Sequence, residues 1–194
     1  MQGPVDSAPE TVKSKRFHHL LIEWGVILLA ALLVSAGLRS FAFQTFFIPS
    51  GSMEPTLQIG DRIIVDKLSV DWGTIHRGDI LVFKAPPSEN CGGASVVDLV
   101  KRVVGVPGDR LASVGDVIYV NGKKFDENWS HTEPLGSPIA ARDAPLVVAA
   151  NHYFMMGDNH SDSCDSRMWG TISRSDVIGK AFFRVWPLNR AGFL

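Results

Sequence analysis

Two serines separated by one glycine, Ser50-Gly51-Ser52, stand in the stretch PSGSMEPT, residues 49–56. A serine hydroxyl is a poor nucleophile until a base removes its proton, and a neutral lysine can be that base. Gly51 lets the backbone turn sharply or approach a substrate closely. A nucleophile on one serine would leave its own N–H and the other serine's hydroxyl free to hold an oxyanion. From these residues alone the choice between the serines stays open, and a plain turn fits them equally well.

A lysine with the right surroundings lies downstream, in Asp98-Leu99-Val100-Lys101-Arg102-Val103-Val104. Strand alternation puts Leu99, Lys101 and Val103 on one face and Val100, Arg102 and Val104 on the other. Apolar neighbours disfavour the ammonium and lower a lysine pKa. An unperturbed lysine is only about 0.4% neutral at pH 8, so a drop of ~2–3 pH units makes a usable base. The strand pattern by itself favours the plainer alternative, a lysine at a sheet edge whose ammonium reaches water.

Other chemistries have less support. There is no H-E-x-x-H and no paired CxxC, so neither a metal nor another cofactor is expected. The nucleophile-elbow pattern GxSxG and the SxxK pattern are absent. His152 and His160 could complete a Ser-His-Asp triad, although polar loop histidines are usually only solvated. A net charge of −1 with scattered Lys and Arg gives no nucleic-acid footprint. Two cysteines, Cys91 and Cys164, make no disulfide framework; one disulfide and two separate thiols both fit.

These residues must be positioned by the rest of the 194-residue chain, room for one ordinary domain. Residues 1–19 read as a polar tail. Leu20 to Leu38 form an apolar run with one charge, Glu23. As a helix its residues span about 28 Å, close to a bilayer's hydrocarbon core. A cleaved signal peptide usually has a shorter apolar core, which favours a retained anchor. Lys13, Lys15 and Arg16 precede the run and only Arg39 follows closely, so the N-terminus is expected in the cytoplasm and residues 39–194 outside it.

Beyond Arg39 the apolar runs are short and β-like: Arg62–Val65, Asp79–Phe83, Leu99–Val104, Val117–Val120, Leu146–Val148 and Tyr153–Met156. Asn121-Gly122 between two such runs predicts a two-residue hairpin. No long amphipathic helical period follows residue 45. The expected fold is mainly β, an antiparallel-sheet catalytic domain on a single N-terminal transmembrane helix. Residues 110–150 form a smaller β-ribbon excursion within it.

Five segments carry a family resemblance: IPSGSMEPTL (48–57), GDRIIVDK (60–67), RGDILVFKAP (77–86), KRVVGVPGD (101–109) and GDNHSDSCDSRMWG (157–170). In this order they resemble the successive boxes of bacterial type I signal peptidases, over about residues 20–186. The resemblance implies a membrane-bound serine endopeptidase that removes signal peptides from exported preproteins through an acyl-enzyme. It assigns Ser52 as nucleophile, Ser50 with the Ser52 N–H as oxyanion hole, Lys101 as general base, and Ser163 as the hydroxyl that orients the lysine. Asp158, Asp165, Arg167 and Arg102 fall on supporting polar positions. Ala-x-Ala-like cleavage sites, the lipid bilayer and the nearby export translocon are the partners it implies. His160 departs from the arginine common at that place, and Cys164 from a common alanine. An inactive, membrane-anchored binding module is the non-enzymatic alternative. A self-cleaving Ser-Lys repressor is disfavoured by the apolar run and by the absence of a DNA-binding N-terminal region. The distance from Leu38 to Ser52, at most about 50 Å of extended chain, would keep the nucleophile near the membrane surface.

Overall fold

The structure, a computed structural model, describes residues 11–89, 91, 97–127, 129 and 134–194, without the side chains of 11–21, 36, 38–41 and 71. Two compact units divide the chain after Phe41. The first unit is helical, and its helix α1 is Thr11–Ala42. The Leu- and Ala-rich sequence between Leu28 and Leu33 suits a helix. The described side chains, 22–35 and 37, are exposed and mostly apolar. Among the described residues no helix is long and apolar enough to cross a membrane. The expected span, 20–38, includes side chains outside the description, and so does the expected tail, apart from the backbone of 11–19.

The second unit is built from antiparallel sheets. Its strands and short helices run β1 (Phe43–Phe47), β2 (Arg62–Asp66), α2 (Leu68–Trp72), β3 (Ile80–Lys84), β4 (Asp98–Gly105), β5 (Arg110–Val114), β6 (Val117–Val120) and β7 (Lys123–Lys124). There follow β8 (Leu146–Val147), β9 (His152–Met156), α3 (Ser166–Trp169), β10 (Ile172–Ser173), β11 (Val177–Trp186) and β12 (Gly192–Phe193). The larger sheet has the order β1-β2-β11-β3-β4-β9-β10, with β12 added to β11; the smaller has the order β7-β6-β5-β8. The β6–β7 hairpin turns at Asn121 and Gly122, with φ of 53° and 78°. Both central residues at positive φ define the turn whose twist matches the strands it joins.

Period-2 alternation sorts the core. Leu81 and Phe83 of β3 join Val103, Tyr153, Met155 and Trp169 in one apolar cluster. Ile80 and Val82, on the opposite face of β3, join Ile48, Met53, Leu57, Ile63 and Val65. A third cluster unites Val104, Phe154 and Met156 of the larger sheet with Leu111, Ile118 and Val120 of the smaller. Each fully buried side chain of this kind contributes about 1.5–3 kcal/mol of transfer free energy. The resulting frame holds β4, which carries Lys101, at the meeting point of all three clusters.

The pairing of β4 is incomplete in a useful way. On one side it is in register with β3, from Lys84↔Asp98 to Ile80↔Arg102. On the other side β9 reaches only Arg102 to Gly105. The half from Asp98 to Lys101 therefore has an edge that no described strand covers. Val103 bonds toward the β3 side, its N–H to the Asp79 carbonyl and its C=O to the Gly78 N–H. Alternation of backbone groups along a strand then turns those of Val100 and Asp98 toward the open edge.

Candidate active site

Ser52 sits in a tight turn that its neighbours anchor. Glu54 N–H donates to the Gly51 carbonyl at 3.0 Å, and Leu57 N–H to the Met53 carbonyl at 2.8 Å. Met53 and Leu57, one helical turn apart, are buried in the apolar cluster beneath. The Ser52 carbonyl accepts from Asn159 N–H at 3.2 Å, which ties the turn to the loop after β9. No described group accepts from the Ser52 N–H, so that donor is available. The Ser50 hydroxyl, on an exposed residue, lies 3.5 Å from the Ser52 hydroxyl.

Lys101 Nζ donates to Ser52 Oγ at 2.5 Å, across 49 residues of sequence. The expectation of a solvated lysine does not hold, because Lys101 is only 3% exposed. Loss of hydration lowers its pKa from 10.5 to about 8; the positive charge of Arg167 acts in the same direction. The carboxylates of Asp165, Asp158 and Asp162 oppose the shift. About half of such a lysine is neutral at pH 8, against well under one per cent without burial. Ser52 and Lys101 thus meet within hydrogen-bond reach, in the arrangement expected of an activated serine.

Asp165 organises the side of the site beyond the lysine. Its fully buried carboxylate accepts from Arg167 Nε at 2.8 Å and Nη2 at 2.7 Å, a two-point pair. It also accepts from Gly157 N–H at 3.1 Å and Ser163 Oγ at 2.7 Å, and it caps α3 through Arg167 N–H. Arg167 continues to the His160, Ser163 and Leu135 carbonyls. The Ser163 hydroxyl is bonded to Asp165, and no described hydrogen bond joins it to Lys101. Gly157 lies between these groups. A Cβ there would overlap both Ser163 Oγ and the Ser52 carbonyl oxygen, so only glycine lets the two segments meet.

Asp158 and Arg102 form the second polar hub. Arg102 Nε and Nη2 donate to the two Asp158 oxygens at 2.8 and 2.6 Å, both side chains being buried. Arg102 Nη1 donates to the Gly78 carbonyl, and its guanidinium stacks on the Trp129 ring 4.7 Å away. Thr56 Oγ1, four residues after Ser52, donates to Asp158 Oδ2 at 2.5 Å. The hub pins the turn after Ser52 to the strand that carries Lys101.

The site thus contains groups that the sequence did not single out. Thr56 stood in the opening stretch but looked like an ordinary turn residue. Asn159 and Gly157 flank Asp158 and carried no spacing signal. Trp129 and the Leu135 carbonyl come from a region with little local pattern. His160, buried, places Nε2 3.0 Å from Glu127 Oε2, a close approach without hydrogen-bond alignment. His152 lies at the other end of β9, with Nδ1 3.0 Å from the Ala150 carbonyl, and no described contact links either histidine to Ser52. Cys91 and Cys164 are joined as a disulfide, with Cα atoms 6.1 Å apart. Its second half-cystine falls between Ser163 and Asp165. Glu89 is beside it, but the two sulfurs bind each other rather than a metal.

An apolar groove of about 330 Å³ leads away from the serine and lysine. Phe46 to Ser50 form one wall and Asp98 to Lys101 the other, with Met53 and Val82 between them. The second wall is the uncovered half of β4. This combination, a buried base on a serine beside an open strand edge, suits an enzyme that takes an extended chain.

Comparison with known proteins agrees. The family model described as "Signal peptidase, peptidase S26" matches residues 21–186. The chain is 37% identical to the probable signal peptidase I-2 of Synechocystis sp., over 95% of this chain and 83% of that one. It is 40% identical to signal peptidase I of Bacillus caldolyticus, over 84% of this chain and 90% of that one. A crystal structure of a signal peptidase I from Enterococcus faecalis covers 55% of this chain and 96% of that one, with 25% identity and a TM-score of 0.41. The match over most of both lengths, not that partial overlap, decides the assignment. The chain belongs to the peptidase S26 signal peptidase family and is a serine endopeptidase.

Proposed function

We propose that this enzyme removes N-terminal signal peptides from exported preproteins with a Ser52–Lys101 dyad, through an acyl-enzyme. The observation that carries the reading is the 2.5 Å contact between Lys101 Nζ and Ser52 Oγ, with the lysine buried. Neutral Lys101 takes the hydroxyl proton as Ser52 Oγ attacks the scissile carbonyl carbon. The C–N bond breaks, Lys101 returns that proton to the leaving nitrogen, and an ester remains on Ser52. Neutral Lys101 then takes a proton from water, whose oxygen attacks the ester. The proton passes to the departing Ser52 Oγ, and the signal peptide leaves as a carboxylic acid.

Two donors serve the oxyanion, the Ser52 N–H and the Ser50 hydroxyl. The free N–H supports the first role, and the 3.5 Å spacing of the two hydroxyls is compatible with the second. Ser163 acts on Lys101 through Asp165, whose carboxylate it shares with Arg167. Arg102 with Asp158, and Arg167 with Asp165, are positioning pairs. The substrate adds an extended strand to the open edge of β4 and seats small side chains in the groove, in keeping with Ala-x-Ala-like cleavage sites.

The apolar run 20–38 supports a membrane anchor with the N-terminus cytoplasmic and residues 39–194 outside, close to the export translocon. Phe43, Phe47 and Trp186, all exposed, suit a domain that works at a lipid surface. Proteolytic accessibility of residues 39–194 in spheroplasts tests this topology. The chemistry is tested by incubating a preprotein with wild type, Ser52→Ala and Lys101→Ala in detergent and mapping the cut. Either variant cleaving at the wild-type rate would exclude the dyad. An inactive binding module would show no cleavage by any of the three.

A further inference from the structure

Away from Ser50, Ser52 and Lys101, which line one part of it, the groove is apolar except for one carboxylate. Phe46, Phe47, Ile48, Met53, Val82 and Val100 line it, and Asp98 stands at its far end. Asp98 is half-buried and opens β4. Lys101 is three residues further along the same strand, about 10 Å away at strand rise. No described cation lies within ion-pair distance of Asp98. Lys84, its register partner on β3, is exposed and forms no such pair. The backbone of Asp98 faces the uncovered edge, where the substrate strand is proposed to lie. An unpaired carboxylate at the rim of an apolar cleft makes a local negative potential that water screens only in part.

We propose that Asp98 determines specificity by selecting substrates with a Lys or Arg side chain on the acyl side of the cut, four or five residues before the scissile bond. This rests on the proposed cleavage reaction and on the open edge of β4. The direction follows from the proton transfer. Lys101 has to reach the leaving nitrogen, and past it the edge is closed by β9. The acyl half is therefore the part that runs back over Val100 and Leu99 toward Asp98. One residue of substrate per residue of strand puts the fourth and fifth positions within reach of Asp98 for a long cationic side chain, just beyond the small residue at the third. A Glu there meets the Asp98 charge and is disfavoured, which discriminates by repulsion as well as attraction.

The test uses the full-length enzyme in detergent and peptide substrates that keep Ala at positions three and one before the cut and differ only at positions four and five. Each position carries Lys, Gln or Glu in turn. Wild type is expected to show a kcat/KM about three- to ten-fold higher for Lys than for Glu at one of these positions, with Gln between them. The ratio should shrink at about 0.5 M salt, as an incompletely buried charge contact does. Asp98→Asn should bring the three substrates together, and Asp98→Lys should reverse their order. A role for Asp98 in structure alone would change all three rates equally and leave the order intact. Equal wild-type rates for Lys and Glu at every position overturn this inference while leaving the cleavage reaction standing. Failure to cut even the Gln peptides overturns both.

Discussion

Lys101→Met should stabilise the folded enzyme at neutral pH while removing its activity. Burial lowers the lysine pKa from 10.5 to about 8. The difference corresponds to about 3 kcal/mol by which folding is opposed whenever the unfolded lysine is charged and the pH is below about 8. Between pH 8 and 10.5 the unfolded chain holds more protons than the folded one, so this contribution to stability recovers as pH rises. Above 10.5 the lysine is neutral in both states and the cost vanishes. Methionine fills nearly the same volume and never carries the charge, but it loses the hydrogen bond to Ser52 Oγ, worth about 1 kcal/mol. The variant should therefore be more stable than wild type by about 2 kcal/mol at pH 7. At pH 10.5 it should be equal or slightly weaker. Urea unfolding of both full-length proteins in one detergent at pH 7, 9 and 10.5 reads the difference directly. A stability difference that stays constant across this range would refute the claim that Lys101 is desolvated in the folded state. So would a variant less stable than wild type at pH 7.

The same shift sets the pH dependence of catalysis. In the proposed reaction Lys101 acts as the neutral amine, so kcat/KM should rise about tenfold per pH unit below pH 7 and level off above about 9, around a midpoint near 8. A peptide-cleavage profile measured on the free enzyme checks it. Removing half of the Arg102–Asp158 pair leaves a buried charge unmatched, and Arg102→Ala should cost about 3–5 kcal/mol in urea unfolding. Gly157→Ala drives a methyl group into the Ser52 carbonyl and Ser163 Oγ. Displacing Ser52, the proposed nucleophile, by about 1 Å should lower kcat/KM about a hundredfold, read by single-turnover cleavage, even where the fold survives.

Strands that neighbouring residues specify are legible in the sequence. Arg62–Val65, Val117–Val120 and Tyr153–Met156 fall within observed strands or coincide with them, because β-branched and aromatic alternation is a short-range signal. Asn121-Gly122 turns as expected because its demand for positive φ is a property of the two residues themselves. Less legible is β11, Val177–Trp186, the longest strand. It lies between β2 and β3, and nothing local in it announces partners more than ninety residues earlier.

For the active site, the order of the family's segments named Ser50, Ser52, Lys101 and Ser163 without any geometry. Alternation alone could set which neighbours share a face with Lys101, but not whether that face is wet. Burial depends on how three apolar clusters close around β4, and this involves residues from Ile48 to Ala181. The resemblance assigns the Ser163 hydroxyl to the lysine, whereas its described hydrogen bond goes to an acid. The fold chose Asp165, because Arg167 and the cap of α3 already hold that carboxylate in place. Sequence by itself therefore determined the candidate catalytic residue types, their order and the local strand and turn preferences. The lysine's dry surroundings, the polar hubs at Asp158 and Asp165 and the uncovered edge of β4 were decided only by tertiary structure, since each depends on contacts between residues far apart in the chain.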